Sequence, residues 1–292
     1  MSDDIIESHI YASLNPGPRL LILGAVHGNE KCGTHAIRRV IQEIGDGKVA
    51  IEKGSVTFIP ICNPRAYAAD TRFIDRNLNR YLLPQENPDS YEARIGNILC
   101  PHLAACDVLL DLHSYHSGGK PFVFISQNNP TEYAYASCLG GAALLTGWQS
   151  AYAASGRDTA PADPNESVGT TEYVRLFGGY GVTMECGQHK DPASNEAAYG
   201  AIHRALAHLG LARLPVPEIE KTPLIEVKKV FYREKGGQFT KTWEHLDPVK
   251  KGDIIAHDDN GNPSIIPDDG FLILPHVDTV DGTEWFYWGQ KK

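Results

Sequence analysis

Residues 20–30, Leu-Leu-Ile-Leu-Gly-Ala-Val-His-Gly-Asn-Glu, decide how the rest of the chain is read. The first seven residues form a short, unbroken apolar run, the pattern of a strand covered on both faces in a largely parallel sheet. Polar residues follow it at once, so His27 and Glu30 fall at the carboxyl end of that strand. This is where open α/β sheets gather ligands. Outward from this stretch, further short apolar runs occupy residues 55–61, 108–112, 122–126 and 181–185 and read as strands. Helical spacing lies between them. One helix is expected over residues 33–44, one from Asn129-Pro130 through Leu145, and one after Asp191-Pro192 up to Gly210. Alternation of this kind from residue 19 to about 212 predicts an α/β domain with a mixed, largely parallel sheet and flanking helices.

The stretch RLPVPEIEKTP, residues 213–223, carries three prolines and reads as a linker. The expected organisation is therefore an α/β domain over residues 1–212, a linker over 213–223 and a smaller all-β domain over 224–292. Short β-branched or aromatic segments at 224–232, 252–257, 271–275 and 284–288, separated by Gly, Pro and Asp-Gly turns, supply its strands. Residues 147–171 have little apolar periodicity and read as a long loop of the kind that carries function.

A formal charge of −9 with dispersed acids leaves no basic stripe for a phosphate backbone, so no nucleic-acid partner is expected. No apolar run approaches the roughly 20 residues of a membrane span, and no membrane partner is expected either. The start MSDDIIESHI puts acids where a signal peptide needs positive charge, which predicts a cytoplasmic protein. Cys32, Cys62, Cys100, Cys106, Cys138 and Cys186 form no CxxC pair, against both a disulfide framework and a thiolate metal site. Oligomeric state is left open, a homo-oligomer included.

Three of the expected strands end on a side chain able to bind metal or move a proton: His27, His113 and Glu185. In His27-Gly28-Asn29-Glu30 an imidazole and a carboxylate stand three residues apart at a helix entry, where both can face one point. With His113 they make the two-histidine, one-glutamate set of catalytic zinc sites, which leaves one coordination position open. Asp111 shares a strand face with His113 and could orient it. A lone HxxE more often marks two exposed polar residues at a helix start. Likewise, Arg72 to Arg80 (RFIDRNLNR) alone would read as a solvated charged run. Beside a metal, however, guanidinium groups suit a bidentate carboxylate grip and the stabilisation of an oxyanion.

Taken in order, His27-Gly-Asn-Glu30, Arg72-x-x-Asp-x-x-Leu-Asn79-Arg80, Asp111-Leu-His113 and Glu185-Cys-Gly make a sequence that resembles the succinylglutamate desuccinylase and aspartoacylase family, relatives of the zinc carboxypeptidases. The resemblance implies a zinc-carboxypeptidase-like α/β domain joined to a smaller β domain, and one Zn2+ per chain on His27, Glu30 and His113. It further implies Glu185 as general base and then acid, Arg72 facing the carbonyl oxygen, and Asn79 and Arg80 holding a substrate carboxylate. Arg175, ten residues before Glu185, matches a second substrate-binding arginine. The residues around Thr171 lack the tyrosine that aspartoacylase places near that arginine, and the tail TEWFYWGQKK matches its tyrosine segment only loosely.

The expected function is cleavage of the amide bond of a small N-acyl amino acid. A metallocarboxypeptidase acting on short peptides shares the same parts, and a zinc-dependent binding protein without catalysis is the reading from another class. Tyr115, His116, Gln188 and His189 follow the strand-end candidates and are expected at the rim of the pocket. Trp285, Tyr287 and Trp288 are expected in an aromatic core.

Overall fold

The computed structural model describes residues 5–126, 129–155, 168–215 and 221–292. Strand β1 (His9–Ala12) precedes β2 (Arg19–Gly24), and helix α1 (Cys32–Gly45) opens just after the His27 motif. Next come β3 (Ser55–Ile59), α2 (Pro64–Ala69), a single 3-10 turn at Leu78–Arg80, α3 (Tyr91–Ala105) and β4 (Val108–Tyr115). They are followed by β5 (Phe122–Phe124), α4 (Pro130–Cys138), β6 (Ala143–Thr146), α5 (Trp148–Ala154), α6 (Thr170–Leu176), β7 (Tyr180–Gln188) and α7 (Pro192–His208). The C-terminal region contributes β8 (Leu224–Tyr232), β9 (Gln238–Phe239), β10 (Pro248–Val249), β11 (Ile254–His257), β12 (Pro263–Ile265), β13 (Gly270–Ile273) and β14 (Glu284–Lys291). Among its described residues there is no helix.

Eleven strands form one mixed sheet in the order β1-β3-β2-β4-β7-β5-β6-β8-β14-β13-β10. The centre, β3-β2-β4-β7, is parallel, so these strands end on the same edge. Side chains of β2 alternate between two cores, as a period of two requires. Leu20 and Ile22 pack with Ile37, Val40, Ala201 and Ile202 of α1 and α7, while Leu21 and Leu23 pack with Leu99 and Leu103 of α3 and Val174 of α6. All four β2 side chains are at most 1% exposed. Burial of each contributes about 1.5–3 kcal/mol, so sliding β2 by one residue would misplace both layers at once. The height of His27 at the strand end is fixed by that packing.

Local signals set the helix starts. The Ser90 hydroxyl accepts from the Ala93 amide at 3.2 Å to cap α3, and Asp191 caps α7 with Pro192 at its first position.

The helix expected from Asn129 through Leu145 ends at Cys138 instead. Gly140 takes φ +96°, a conformation a helix does not use, and the chain turns into β6. Ala143, Leu144 and Leu145 are fully buried there, paired with β5 on one side and β8 on the other. An apolar triplet fits either period, and the glycine pair Gly140-Gly141 decides. The sheet also continues past the expected linker, of which residues 216–220 lie outside the described residues. Leu144 pairs with Leu224, and β8, β14, β13 and β10 extend the main sheet. Only β9, β11 and β12 form a separate three-stranded sheet. Of the expected 147–171 loop, residues 156–167 lie outside the described residues, and its two ends fold into α5 and the start of α6. Among the described residues no helix is long and apolar enough to cross a membrane.

Candidate active site

The turn between β2 and α1 brings two candidate ligands together. Ala25 takes φ +48°, and the Glu30 amide donates to the His27 carbonyl at 3.1 Å, folding the motif back on itself. Gly28 makes this turn possible, because a Cβ there would lie 2.0 Å from the Ala66 carbonyl carbon of α2. Its amide donates to the Arg72 carbonyl at 3.2 Å, which ties the motif to the arginine segment.

Glu30 is the centre of the cluster. Its Oε1 lies 3.0 Å from His27 Nδ1 and accepts from Arg72 at 2.8 Å. Its Oε2 lies 2.8 Å from His113 Nδ1 and accepts from the Ser114 amide at 3.2 Å. His27, Glu30 and His113 are 3%, 2% and 2% exposed, and one ligand atom from each lies within 4.8 Å of the others. On the far side of the rings, His27 Nε2 is hydrogen-bonded to Asn77 Oδ1 at 2.9 Å, while His113 Nε2 lies 2.9 Å from Asp111 Oδ2 without the alignment of a hydrogen bond. His27 Nδ1 approaches Glu30 without the alignment of a hydrogen bond and is left a buried, unpartnered nitrogen. Two imidazole nitrogens and a carboxylate converging on one point, with carboxylate or amide oxygens close behind both rings, fit a divalent cation.

Charge is concentrated here. Burial pushes the His27 imidazole down to about 4, and the neighbouring Arg72 adds to this. Burial works the other way on Glu30, but His27 and His113 outweigh it and hold the carboxyl well below the usual carboxylate range. Burial lowers His113, but Asp111 and Glu30 outweigh it and hold the ring well above its ordinary value.

Glu185 of β7 stands directly opposite His113 of β4 in the parallel register. Its Oε2 is shielded from solvent and has no hydrogen-bond partner. Burial first, and then the charge of Glu30, push its carboxyl well above the usual range. A carboxyl in this state, beside a candidate cation site, is suited to taking and returning a proton. Cys186 points to the opposite face and is buried in the core, as strand alternation predicts.

Residues 16–207 match the succinylglutamate desuccinylase/aspartoacylase catalytic domain. The chain belongs to this family. Among curated family relatives, an N-acyl-aromatic-L-amino acid amidohydrolase of Rattus norvegicus is 35% identical over 131 residues, which is 40% of either chain. A probable aspartoacylase of Nostoc sp. is 32% identical over 127 residues, 40% of this chain and 42% of that one. The alignments thus span about two fifths of these relatives' lengths. Similar solved structures include a succinylglutamate desuccinylase/aspartoacylase from Rhodobacter sphaeroides, with a TM-score of 0.80 at 18% identity over 98% of this chain and 89% of that one. The product-bound ectoine utilization protein EutE from Ruegeria pomeroyi gives 0.76 at 19% identity over 97% and 88%. At such identities the likeness is one of family fold.

Within that fold the structure brings His27, Glu30, His113, Glu185 and Arg72 to one place, with Asn79 joined to it through Thr170. Asn79 Oδ1 accepts from the Thr170 amide at 2.8 Å, and the Thr170 hydroxyl donates to Asp111 Oδ2 at 2.5 Å. Arg80 is exposed, with one donor on the Asn79 carbonyl at 2.8 Å. Arg175 is not brought to the cluster. Its guanidinium is spent on the buried Glu132 at 3.0 Å, on Glu172 at 3.3 Å and on the Gly181 carbonyl at 3.1 Å. Gly181 lies four residues before Glu185 on β7, about 13 Å along a strand.

Three residues of the site escaped the sequence reading. Asn77 holds His27 and also caps the 3-10 turn, accepting from the Asn79 amide at 3.0 Å. Thr170 bridges Asn79 and Asp111. Glu92, 2% exposed, accepts from the amides of Ile74, Asp75 and Arg76 at 2.7, 3.0 and 3.2 Å and so fixes the arginine segment. Asn77 lies inside the quoted arginine motif and could have been weighed there, whereas nothing local marks Glu92.

Proposed function

We propose that this chain is a zinc-dependent amidohydrolase that cleaves the amide bond of a small N-acyl amino acid, with a zinc-carboxypeptidase-like arrangement of its α/β part. One arrangement carries the reading: Glu30 gathers His27, His113 and Arg72, while Glu185, with an unpartnered buried oxygen, stands in register beside His113. The family relatives named amidohydrolase and aspartoacylase support the reaction class. Six free cysteines support a reducing, cytoplasmic setting.

His27, Glu30 and His113 would hold one zinc ion, which when bound supplies Lewis acidity toward the amide carbonyl and toward water. Glu185 takes a proton from the attacking water and returns it to the departing nitrogen. Arg72 has donors beyond the one spent on Glu30 and offers them to the carbonyl oxygen as it gains charge. Asn79 and Arg80 hold the substrate's carboxylate, Arg80 being exposed and free to turn toward it. Arg175 has no part in this scheme, because its donors are committed elsewhere.

The test is mass-spectrometric screening of the zinc-loaded protein against N-acyl amino acids beside short peptides. Release of free amino acid from the acyl series supports the proposal. Trimming of peptides alone would make the protein a carboxypeptidase, and zinc binding without turnover would make it a binding protein.

A further inference from the structure

Three imidazoles stand together beside the cluster, each from a different part of the chain. His116 follows β4, His189 follows β7, and His276 follows β13 in the C-terminal region. The His116 and His276 rings stack with centroids 4.3 Å apart and planes 15° apart. His189 meets His116 edge-on at 4.5 Å and 79°. Its Nδ1 is 2.8 Å from the Ser114 hydroxyl, and the Ser114 amide in turn holds Glu30, so the group is one residue removed from the proposed ligand set. His189 Nε2 is buried and has no partner.

A second cation is not what these rings suit. Ring nitrogens bind metal in the plane of the ring, and two stacked, nearly parallel rings cannot aim at one ion. Among the described residues, His27, Glu30 and His113 are the grouping with converging ligand atoms. As hydrogen-bonding groups the three fit better. Burial lowers all three below the ordinary imidazole value, His189 to about 4, and Arg72 is close enough to add to the effect in each. A neutral imidazole keeps one N–H, and in the tautomer whose Nδ1 accepts from the Ser114 hydroxyl the His189 proton sits on the unpartnered Nε2. A shielded donor without an acceptor is costly, and a ligand that supplies the acceptor relieves that cost.

The rings also lie on a definite side of the site. His189 joins the cluster through Ser114 and Glu30, the carboxylate that Arg72 also holds, whereas Arg80 joins it through Asn79 and Thr170. A substrate with its carboxylate at Arg80 and its amide carbonyl at Arg72 therefore extends its acyl half toward the histidines. We propose that His116, His189 and His276 line the acyl subsite, with His189 Nε2 as its principal donor, and that the enzyme favours acyl groups bearing an oxygen acceptor beyond the amide carbonyl. This inference rests on the amidohydrolase reading. His276 makes the C-terminal region part of the substrate site.

The experiment compares kcat/KM for two N-acyl derivatives of one amino acid, equal in length, whose acyl chains end in a hydroxyl or in a methyl. The parent should prefer the hydroxyl-bearing chain by at least about 10-fold, as sites with a committed donor do. His189→Phe keeps a ring without the donor and should bring the ratio below about threefold, while His189→Gln should restore part of it. His276→Phe keeps the stack on His116 and should lower the ratio too, which serves if His189→Phe fails to fold. A parent ratio near one, or a ratio unchanged in both Phe variants, overturns the subsite alone. A parent that hydrolyses neither derivative, nor any other N-acyl amino acid, overturns the amidohydrolase reading and the subsite with it.

Discussion

Glu185 and His113 occupy facing positions on adjacent parallel strands, so the carboxyl proposed to move the proton and the imidazole proposed to bind metal are placed by sheet register rather than by loops. Register is held by the buried layers on both faces of the sheet, and the pair is accordingly stiff. Glu185→Gln keeps size and shape but cannot accept a proton. Turnover should fall at least about 100-fold with metal content and melting temperature unchanged. Near-normal kcat in a metal-replete Gln variant would remove Glu185 from the mechanism.

In the proposed zinc site His27 and His113 each supply one of three ligands, and neither loss would be made good by the two that remain. His27→Ala and His113→Ala should purify with little zinc, and the parent stripped with a chelator should melt lower and recover on zinc addition. At a free zinc concentration 100 times the dissociation constant the recovery is worth about 2.7 kcal/mol. Full zinc occupancy in both Ala variants by elemental analysis would defeat the ligand assignment.

Gly28 packs directly against the backbone of α2 in the turn that carries His27 and Glu30. A methyl group there would meet the Ala66 carbonyl carbon at 2.0 Å and the Tyr67 nitrogen at 2.3 Å, both backbone atoms that cannot turn aside. Gly28→Ala should therefore cost about 3 kcal/mol or more and weaken zinc binding, since His27 and Glu30 flank the displaced residue. Thermal melts and zinc titration of the variant check both, and parent-like values in each would mean that the turn is free to move.

The parts of this site legible in the sequence are those whose chemistry coincides with a local pattern. His27, His113 and Glu185 each close an apolar run, so strand length alone puts them on one edge of the sheet. Glu92 is illegible for the opposite reason. It works by accepting three amides of a segment that precedes it, a relation with no local period. Arg175 shows the risk of spacing as a guide, because its distance in sequence from Glu185 says nothing about the buried carboxyl of Glu132 that holds it. In the fold, the strand pattern was readable wherever runs were long. The short β6 was absorbed into a helix because three apolar residues fit both periods, and the continuation of the sheet into β8 depends on a pairing between residues 80 apart.

His245 is buried against Phe122 and Tyr115, accepts from the Leu274 amide at 3.1 Å through Nδ1, and has its Nε2 unpartnered. Burial lowers its pKa to about 3, against an ordinary value of 6.5. Above pH 6.5 the ring is neutral in both folded and unfolded chains, and its contribution is fully present. Below that, the unfolded chain takes up a proton that the folded one refuses, so stability declines by about 1.4 kcal/mol per pH unit toward pH 3. His245→Gln, which can still accept from Leu274, should be less stable at pH 7 but should lose less stability between pH 6.5 and pH 4.5. Urea melts across that range decide it, and equal slopes in the two proteins would show that His245 is not the group responsible.

The proposed carboxylate clamp rests on Arg80, which is exposed and donates to the Asn79 carbonyl at 2.8 Å. Neighbouring Asn79 is fixed by Thr170, and Arg76 and Ile74 by Glu92, so Arg80 projects from a held segment and loses less entropy on binding than a free arginine would. Its planar fork can give two parallel hydrogen bonds to a carboxylate, which the point charge of lysine cannot reproduce. Arg80→Lys should then raise KM more than it lowers kcat, because the carboxylate is equally charged in ground and transition states and the lost interaction is one of uniform binding. Methyl esterification of the substrate removes the same interaction from the other side. In the parent it should lower kcat/KM by at least about 10-fold, and in Arg80→Lys by much less, since the two changes act on one contact and do not add. Kinetics of the free acid and its methyl ester with both proteins complete this cycle. A parent that treats acid and ester alike would show that binding comes from the apolar part of the substrate, and an ester penalty undiminished in Arg80→Lys would assign the clamp to another residue.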